Sequence, residues 1–140
     1  MKFELNFERV YPHPPEKVWR ALTDATALGE WLMETDFVPE AGCTFTMWCD
    51  DGEGGTDTYI CTLLEYDPPN RMLWSWVLDG SQDHGDTYVE FKVEPVASGT
   101  RVTIAHTGDR DPDTIEKFKG GWPYKLDQLG TVLSGAERDK

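Results

Sequence analysis

Apolar and polar residues alternate with a period of two along most of the chain, which is the pattern of strands that bury one face. The alternation begins with Phe3, Leu5 and Phe7 and is stopped by three prolines within residues 12–15, since proline cannot donate to a strand ladder. It returns from Phe37 and continues through the middle of the chain. We therefore predict an N-terminal strand that is separated from a later series of strands.

Segments rich in Gly, Asp and Pro divide this later series, and such segments are typical of hairpin turns. They occupy residues 50–57, 67–70, 79–86 and 98–99, with residues 58–66 as the return strand of the first hairpin. The apolar faces of the other strands are Cys43, Phe45 and Met47, then Met72, Trp74 and Trp76, then Val89, Phe91 and Val93, and finally Val102, Ile104 and His106. The series is therefore predicted to be antiparallel.

Three segments repeat their apolar residues every three or four positions, as amphipathic helices do. Two are short, at residues 16–22 and 25–31, and the third is long, at residues 111–133. Their apolar residues are Val18, Trp19 and Leu22, then Leu28 and Trp31, and then Ile115, Phe118, Trp122, Leu126, Leu129 and Leu133. Asp111 is suited to cap the long helix, and Pro112 to occupy its first position.

Gly120, Gly121 and Pro123 interrupt the middle of the long apolar pattern. Glycine raises the entropic cost of forming a helix, and proline removes one backbone donor. We therefore predict a kink or short break at residues 119–122 and a firm helix over residues 123–133.

The predicted order is one strand, two short helices, five or six further antiparallel strands and one long helix. This order is typical of an α+β fold in which a curved antiparallel sheet of about six to seven strands wraps around the long helix. A chain of 140 residues is expected to form a single domain, residues 1–140, that buries about 70% of the surface of its unfolded chain. A strongly curved sheet leaves a cavity between its concave face and the helix, where small molecules bind.

The chain is strongly acidic, with 26 acidic residues, 13 basic residues and a net charge of −13. This charge argues against binding to nucleic acid and to anionic membranes, because both need basic surfaces. A soluble, self-repelling surface explains the charge more simply than an acidic docking face does. A salt-adapted source is an open alternative.

Neither a membrane span nor export is indicated by the sequence. No apolar run is long enough to cross a bilayer, and the N-terminus opens directly into the alternating pattern without the apolar core of a signal peptide. Cys43, Cys49 and Cys61 are odd in number and lack metal-ligand spacing. We interpret them as reduced thiols of a cytoplasmic protein.

Four segments of the chain together form a recognisable pattern. They are residues 14–24 with Leu28 and Trp31, residues 67–72 with Trp76, residues 99–104 with His106 and Gly108, and Gly121-Trp122 with Leu126 and Leu129. In this order they resemble the SRPBCC superfamily and, within it, the branch homologous to the activator of heat-shock-protein-90 ATPase. The resemblance covers nearly the whole chain.

This resemblance implies a helix-grip domain of the birch-pollen-allergen and START type, with a cavity beneath the last helix. Members of the superfamily bind hydrophobic small molecules, transport lipids, cyclise polyketides, protect against toxic natural products or stimulate the chaperone's ATPase. The fold therefore does not fix a function. The chaperone activators carry a separate N-terminal domain that this sequence lacks, so interaction with a chaperone is not expected.

The aromatic and apolar residues on the inward faces are candidates for lining the cavity, because aromatic rings combine a large apolar area with a polar edge. The candidates are Trp31, Phe45, Met47, Tyr59, Trp74, Trp76, His106, Trp122 and Leu126. Ordinary core packing is the alternative for each of them singly, although six tryptophans exceed what a core of this size requires. Trp19 is interpreted as structural, and Trp48, which is out of phase with its strand, as facing outward or towards an interface.

The leading hypothesis is a binding protein for a hydrophobic or aromatic small molecule, without a cofactor and without catalysis. The second is an enzyme of polyketide-cyclase or hydrolase type, in which His106 moves a proton and Tyr59 or Tyr124 orients the substrate. No sequence pattern supplies His106 with a nucleophile or carboxylate, which favours a hydrogen-bonded structural histidine. Cys43 or Cys61 could serve as a nucleophile only if the fold brought it to His106.

The third hypothesis is a protein-interaction module related to the chaperone activators that uses an acidic face. A homodimer through the sheet edges or through the Trp48 side would also be compatible with the sequence. We expect no metal site in the acidic turns, because their spacing does not match a calcium loop and solvated turns explain them. These turns contain Asp50, Asp51, Glu53 and Asp57 in the first and Asp83, His84 and Asp86 in the second.

Overall fold

The computed structural model describes residues 1–50, 54–78 and 87–138 of the chain. The elements in chain order are β1 (Lys2–Tyr11), α1 (Pro15–Thr23), α2 (Ala25–Trp31), β2 (Glu34–Thr35), β3 (Thr44–Asp50), β4 (Thr56–Asp67), β5 (Arg71–Leu78), β6 (Thr87–Val96), β7 (Gly99–Asp109) and α3 (Pro112–Arg138). The middle of the predicted 50–57 turn and the predicted 79–86 turn lie outside the described residues. All three predicted helices are present.

Within the described residues, seven strands form one antiparallel sheet in the order β1-β7-β6-β5-β4-β3-β2. β1 pairs with β7 along its whole length, from Lys2 opposite Asp109 to Tyr11 opposite Thr100. The predicted α+β fold, a curved antiparallel sheet with one dominant helix, is confirmed. Only β2 is absent from the prediction, because two residues are too few to show an alternation.

The ladder between β4 and β5 contains an irregularity. The pairing of β4 with β5 shifts register between Leu63 and Glu65. An extra residue in one strand bends that strand and increases its twist. Leu63 is buried on the inner face, whereas Leu64 and Glu65 are both exposed, so the alternation is interrupted at the shift and resumes at Tyr66.

The core lies between the inner face of the sheet and the apolar stripe of α3. The predicted inward faces are confirmed, and their buried members are Phe45, Met47, Met72, Trp74, Trp76, Val89, Phe91, Val93, Val102, Ile104 and His106. The buried members of the α3 stripe are Ile115, Trp122, Leu126, Leu129 and Leu133. Burial of each large apolar side chain contributes about 1.5–3 kcal/mol, which fixes α3 against the sheet.

Asp111 caps α3 as predicted. Its Oδ2 accepts a hydrogen bond from the backbone N–H of Thr114 at 3.1 Å, and its Oδ1 accepts one from the Thr114 hydroxyl at 2.7 Å. We expect Asp111→Ala to lower the free energy of unfolding, measured in urea, by about 1 kcal/mol. Asp113→Ala is the control, since it removes a negative charge from the same turn but not the cap, and it should cost about 0.5 kcal/mol. Equal losses would contradict the capping role.

The short break offered for residues 119–122 is wrong, because α3 continues from Pro112 to Arg138 through both glycines and Pro123. The alternative, a kink at these residues, stays a prediction. A Cβ added to Gly120 or Gly121 would meet no atom within 4 Å, so neither glycine is required by close packing. The cost of the two glycines and the proline to helix stability is outweighed by burial of the apolar stripe of α3 on both sides of Pro123. Neither α3 nor any other helix in the described residues is long and apolar enough to cross a bilayer.

Candidate functional site

Four rings from four elements meet on the inner face of the sheet, near the end at which β5 stops and β6 starts. Trp76 of β5 lies at the centre. Its ring centroid is 5.4 Å from that of Tyr59 in β4, 5.7 Å from that of His106 in β7 and 5.6 Å from that of Trp122 in α3. We call these four residues the aromatic cluster.

Further rings extend the aromatic cluster in two directions. Phe118 of α3 and Phe3 of β1 approach His106 with centroid distances of 4.3 and 5.4 Å. Trp74 stacks beside Trp76 at 6.4 Å with an interplanar angle of 14°. The rings therefore form a continuous aromatic surface between the sheet and α3.

His106 is completely buried and both of its ring nitrogens are engaged. The indole Nε1 of Trp122 donates to His106 Nδ1 at 3.0 Å, and His106 Nε2 lies 3.0 Å from the hydroxyl oxygen of Thr87. Since an indole N–H can only donate, Nδ1 is the acceptor and the proton of the neutral ring belongs on Nε2. Nε2 then donates to Thr87, whose hydroxyl donates to the carbonyl of Trp76 at 2.6 Å.

Burial keeps His106 neutral. It lowers the pKa of the imidazole from its ordinary value of 6.5 to about 3, and the positive charge of Arg110 acts in the same direction. A protonated ring would also carry a proton on Nδ1 and lose the hydrogen bond from Trp122. These contacts favour the structural histidine of the sequence analysis over a proton-transferring one near neutral pH.

In the described part of the chain, His106 is hydrogen-bonded to Thr87 and Trp122 and to none of the other chemical groups considered in the sequence analysis. Burial raises the pKa of the Cys61 thiol to about 12 and that of the Tyr59 hydroxyl to about 12, so neither ionises near neutral pH. Cys43 is only partly buried, at the start of β3. Tyr124 is 60% exposed, because two residues beyond Trp122 is nearly the opposite face of α3. The Tyr124 ring therefore lies away from the interior, and the role of Tyr59 or Tyr124 in orienting a substrate stays a prediction.

The nine predicted cavity residues all lie in the interior, eight of them buried and Tyr59 partly buried. Five belong to the aromatic cluster or stack on it, namely Tyr59, Trp74, Trp76, His106 and Trp122. The other four, Trp31, Phe45, Met47 and Leu126, belong to the same core. Burial fits core packing as well as cavity lining, so the cavity-lining role stays a prediction.

Trp19 and Trp48 lie where their patterns predicted. Trp19 is buried in α1 and stacks on Tyr66 with a centroid distance of 5.9 Å. Trp48 is 38% exposed, as its opposite phase to Phe45 and Met47 requires. Trp19 is thus part of the structural core, and Trp48 faces outward.

Trp76 differs from three other buried tryptophans in the hydrogen bonding of its indole N–H. Three other buried indoles donate to nearby acceptors, Trp31 to the carbonyl of Ala21 at 2.9 Å, Trp74 to the sulfur of Met72 at 3.3 Å and Trp122 to His106 at 3.0 Å. The Nε1 of Trp76 is buried and has no hydrogen-bond partner within the described part of the chain. Among the described residues it is therefore a buried donor without an acceptor.

The sequence analysis missed Thr87, which completes the hydrogen-bond chain of His106. Thr87 is buried and shares the inward phase of Val89, Phe91 and Val93, so the alternation alone indicates its face. Gly108 allows it to come close, because a Cβ at Gly108 would lie 2.7 Å from Cγ2 of Thr87.

Lys125 is a second residue that the sequence analysis missed. Its Nζ donates to the carbonyl of Leu32 at 2.6 Å, and burial lowers its pKa.

Comparison with known proteins places this geometry in a family. The family model described as "Activator of Hsp90 ATPase homolog 1-like protein" matches residues 12–134. Protein MLL2253 from Mesorhizobium loti has a TM-score of 0.84 and 30% identity, over 94% of this chain and 97% of that chain. Protein CV1439 from Chromobacterium violaceum has a TM-score of 0.84 and 25% identity, over 93% of this chain and 96% of that chain. CalU16 from Micromonospora echinospora has a TM-score of 0.76 and 25% identity, over 96% of this chain and 76% of that chain. A search of curated proteins found no match.

Proposed function

Because the chain belongs to the family of Activator of Hsp90 ATPase homolog 1-like proteins, of the SRPBCC type, we propose that it binds a hydrophobic or aromatic small molecule between the inner face of its sheet and α3. The aromatic cluster is the observation that carries this proposal. Aromatic rings offer a large apolar area at low cost in side-chain entropy, and their edges can orient a flat ligand.

The partly buried rings at the margin of the cluster support a route for the ligand. Tyr59, Phe118 and Phe3 are each partly exposed, whereas Trp76 and His106 are buried. The aromatic surface thus runs without interruption from solvent-accessible rings to the core. A flat ligand could enter between these rings and replace contacts that they make with one another.

Charge favours an uncharged ligand over an anionic one. The chain carries a net charge of −13, which repels anions approaching the protein. Within the aromatic cluster, burial lowers the pKa of His106 to about 3 and raises that of Tyr59 to about 12, so both side chains are neutral near neutral pH. Binding would therefore come mainly from burial of apolar surface, at about 25 cal/mol per Å².

A screen of flat aromatic compounds of increasing ring number would test this proposal. We expect at least one class to change the tryptophan emission and to raise the melting temperature. A compound present at about one hundred times its Kd should add about 2.7 kcal/mol to the free energy of unfolding. If no compound changes either signal, the proposal fails.

Two variants of α3 locate the bound compound. Phe118→Ala removes a partly buried ring of the aromatic surface and should weaken binding by about tenfold, the equivalent of 1.4 kcal/mol. Tyr124→Ala removes an exposed ring from the opposite face of the same helix and should leave the Kd unchanged. Equal effects of the two substitutions would place the compound outside the proposed site.

A further inference from the structure

The indole N–H of Trp76 is a buried donor that a ligand could satisfy. Its indole is 4% exposed, and its Nε1 has no acceptor within the described part of the chain. A buried donor without a partner costs about 1–3 kcal/mol. Folded proteins leave few such groups, so each one calls for an acceptor that comes from outside the chain or for a functional reason.

The neighbours of Trp76 do not supply this acceptor. His106 Nδ1 already accepts from Trp122, and its Nε2 carries the proton that goes to Thr87. The Thr87 hydroxyl oxygen accepts the hydrogen bond from Nε2, and the hydroxyl donates its own to the Trp76 carbonyl. The chain of hydrogen bonds around His106 is thus complete without Trp76 Nε1, and none of these neighbours accepts from that donor.

We propose that the ligand is a neutral aromatic carbonyl compound whose oxygen accepts a hydrogen bond from Trp76 Nε1. This inference rests on the proposed binding function. The rings of Tyr59, Trp74 and Trp122 stand 5.4–6.4 Å from that of Trp76 and would contact the flat part of the ligand. A donor-only group selects an acceptor, so a carbonyl oxygen is preferred over a methylene or a hydrocarbon edge.

A neutral oxygen is preferred over a carboxylate for two reasons. An ionised carboxylate is far more costly to bury than a carbonyl unless a cation pairs with it. The members of the aromatic cluster are uncharged, so none of them supplies the cation that a buried carboxylate needs.

The test uses compounds that differ in one group, fluorenone with fluorene and the smaller indanone with indane. In each pair a carbonyl replaces a methylene while the ring system is kept. Equilibrium dialysis gives the Kd of each compound for the wild-type protein, for Trp76→Phe and for the control Trp74→Phe. Trp74 is the matched control because its ring stacks on that of Trp76, whereas its own Nε1 already donates to Met72.

The readout is the ratio of the hydrocarbon Kd to the ketone Kd, compared between proteins so that differences in hydration of the compounds cancel. We expect Trp76→Phe to lower this ratio by about tenfold, which corresponds to one hydrogen bond of about 1.4 kcal/mol. Trp74→Phe should leave the ratio within about twofold of wild type. An unchanged ratio in Trp76→Phe overturns the inference while leaving the proposed function standing.

A second measurement does not depend on the variants folding. The indole proton of Trp76 should shift downfield in the NMR spectrum of the wild-type protein when fluorenone is added, and should not do so with fluorene. The absence of this difference would overturn the inference. Tighter binding of fluorene carboxylate than of fluorenone would overturn the preference for a neutral ligand. If none of these compounds binds the wild-type protein, the proposed function and the inference fall together.

Discussion

Replacement of Trp122 by alanine is expected to lower the free energy of unfolding by about 5 kcal/mol. The indole is buried between α3 and the sheet, and truncation of a buried tryptophan to alanine costs about 3–5 kcal/mol through lost contacts and the cavity that remains. The substitution would also remove the indole N–H that donates to His106 Nδ1. Leaving this buried acceptor without a hydrogen bond raises the loss of stability by about 1–3 kcal/mol. Urea denaturation of the two proteins measures the difference.

A pair of conservative substitutions separates the two parts of this effect. Trp122→Phe keeps most of the ring but removes the donor to His106, and it should cost about 1–3 kcal/mol. Trp48→Phe makes the same chemical change at an exposed indole on the outer face, where about 0.5 kcal/mol or less is expected. Equal losses from these two substitutions would show that the hydrogen bond from Trp122 to His106 contributes nothing to stability.

The stability that His106 confers should depend on pH. The folded protein holds the pKa of His106 at about 3, against an ordinary value of 6.5 for an exposed imidazole. The unfolded chain therefore binds more protons than the folded one between these two values, and folding becomes less favourable as the pH falls through this range. The contribution is present in full above the ordinary pKa and decreases by about 1.4 kcal/mol per pH unit below it.

The difference in free energy of unfolding between the wild-type protein and His106→Gln gives this contribution directly. We expect His106→Gln to be the less stable protein at about pH 7.5, and the difference to shrink between about pH 6.5 and 5. Titration of carboxylates elsewhere changes the free energy of unfolding of both proteins equally, so it cancels in the difference. If the two stability curves stay parallel over this range, His106 is not the buried neutral group described here.

The sequence predicted the faces of the strands because alternation is a local property. His106 was assigned to the interior because it continues the face of Val102 and Ile104, and it is buried there. Its partners could not be predicted in the same way. Thr87 and Trp122 reach it from β6 and α3, and only the pairing of β6 with β7 and the docking of α3 bring these elements together.

The predicted break in α3 is absent because tertiary packing outweighed a local rule. Pro123 removes one backbone donor, which alone would favour an interruption. However, Trp122 and Leu126 on either side of it are both buried against the sheet, and keeping both in phase requires a continuous helix. Propensity rules describe the isolated segment, so they do not weigh the burial that the rest of the chain provides.

The pairing of β1 with β7 has a consequence for the order in which the protein can assemble during synthesis. β1 leaves the ribosome first, yet among the described strands its hydrogen-bonding neighbour is β7, which is made last. The hairpins from β3 to β7 can form as they emerge, whereas β1 waits for nearly the whole chain. Contacts so distant in sequence slow folding and leave unpaired edges open to other chains. The pairing edge of β1 is therefore the surface that a newly made chain must keep free for longest, until β7 has been synthesised.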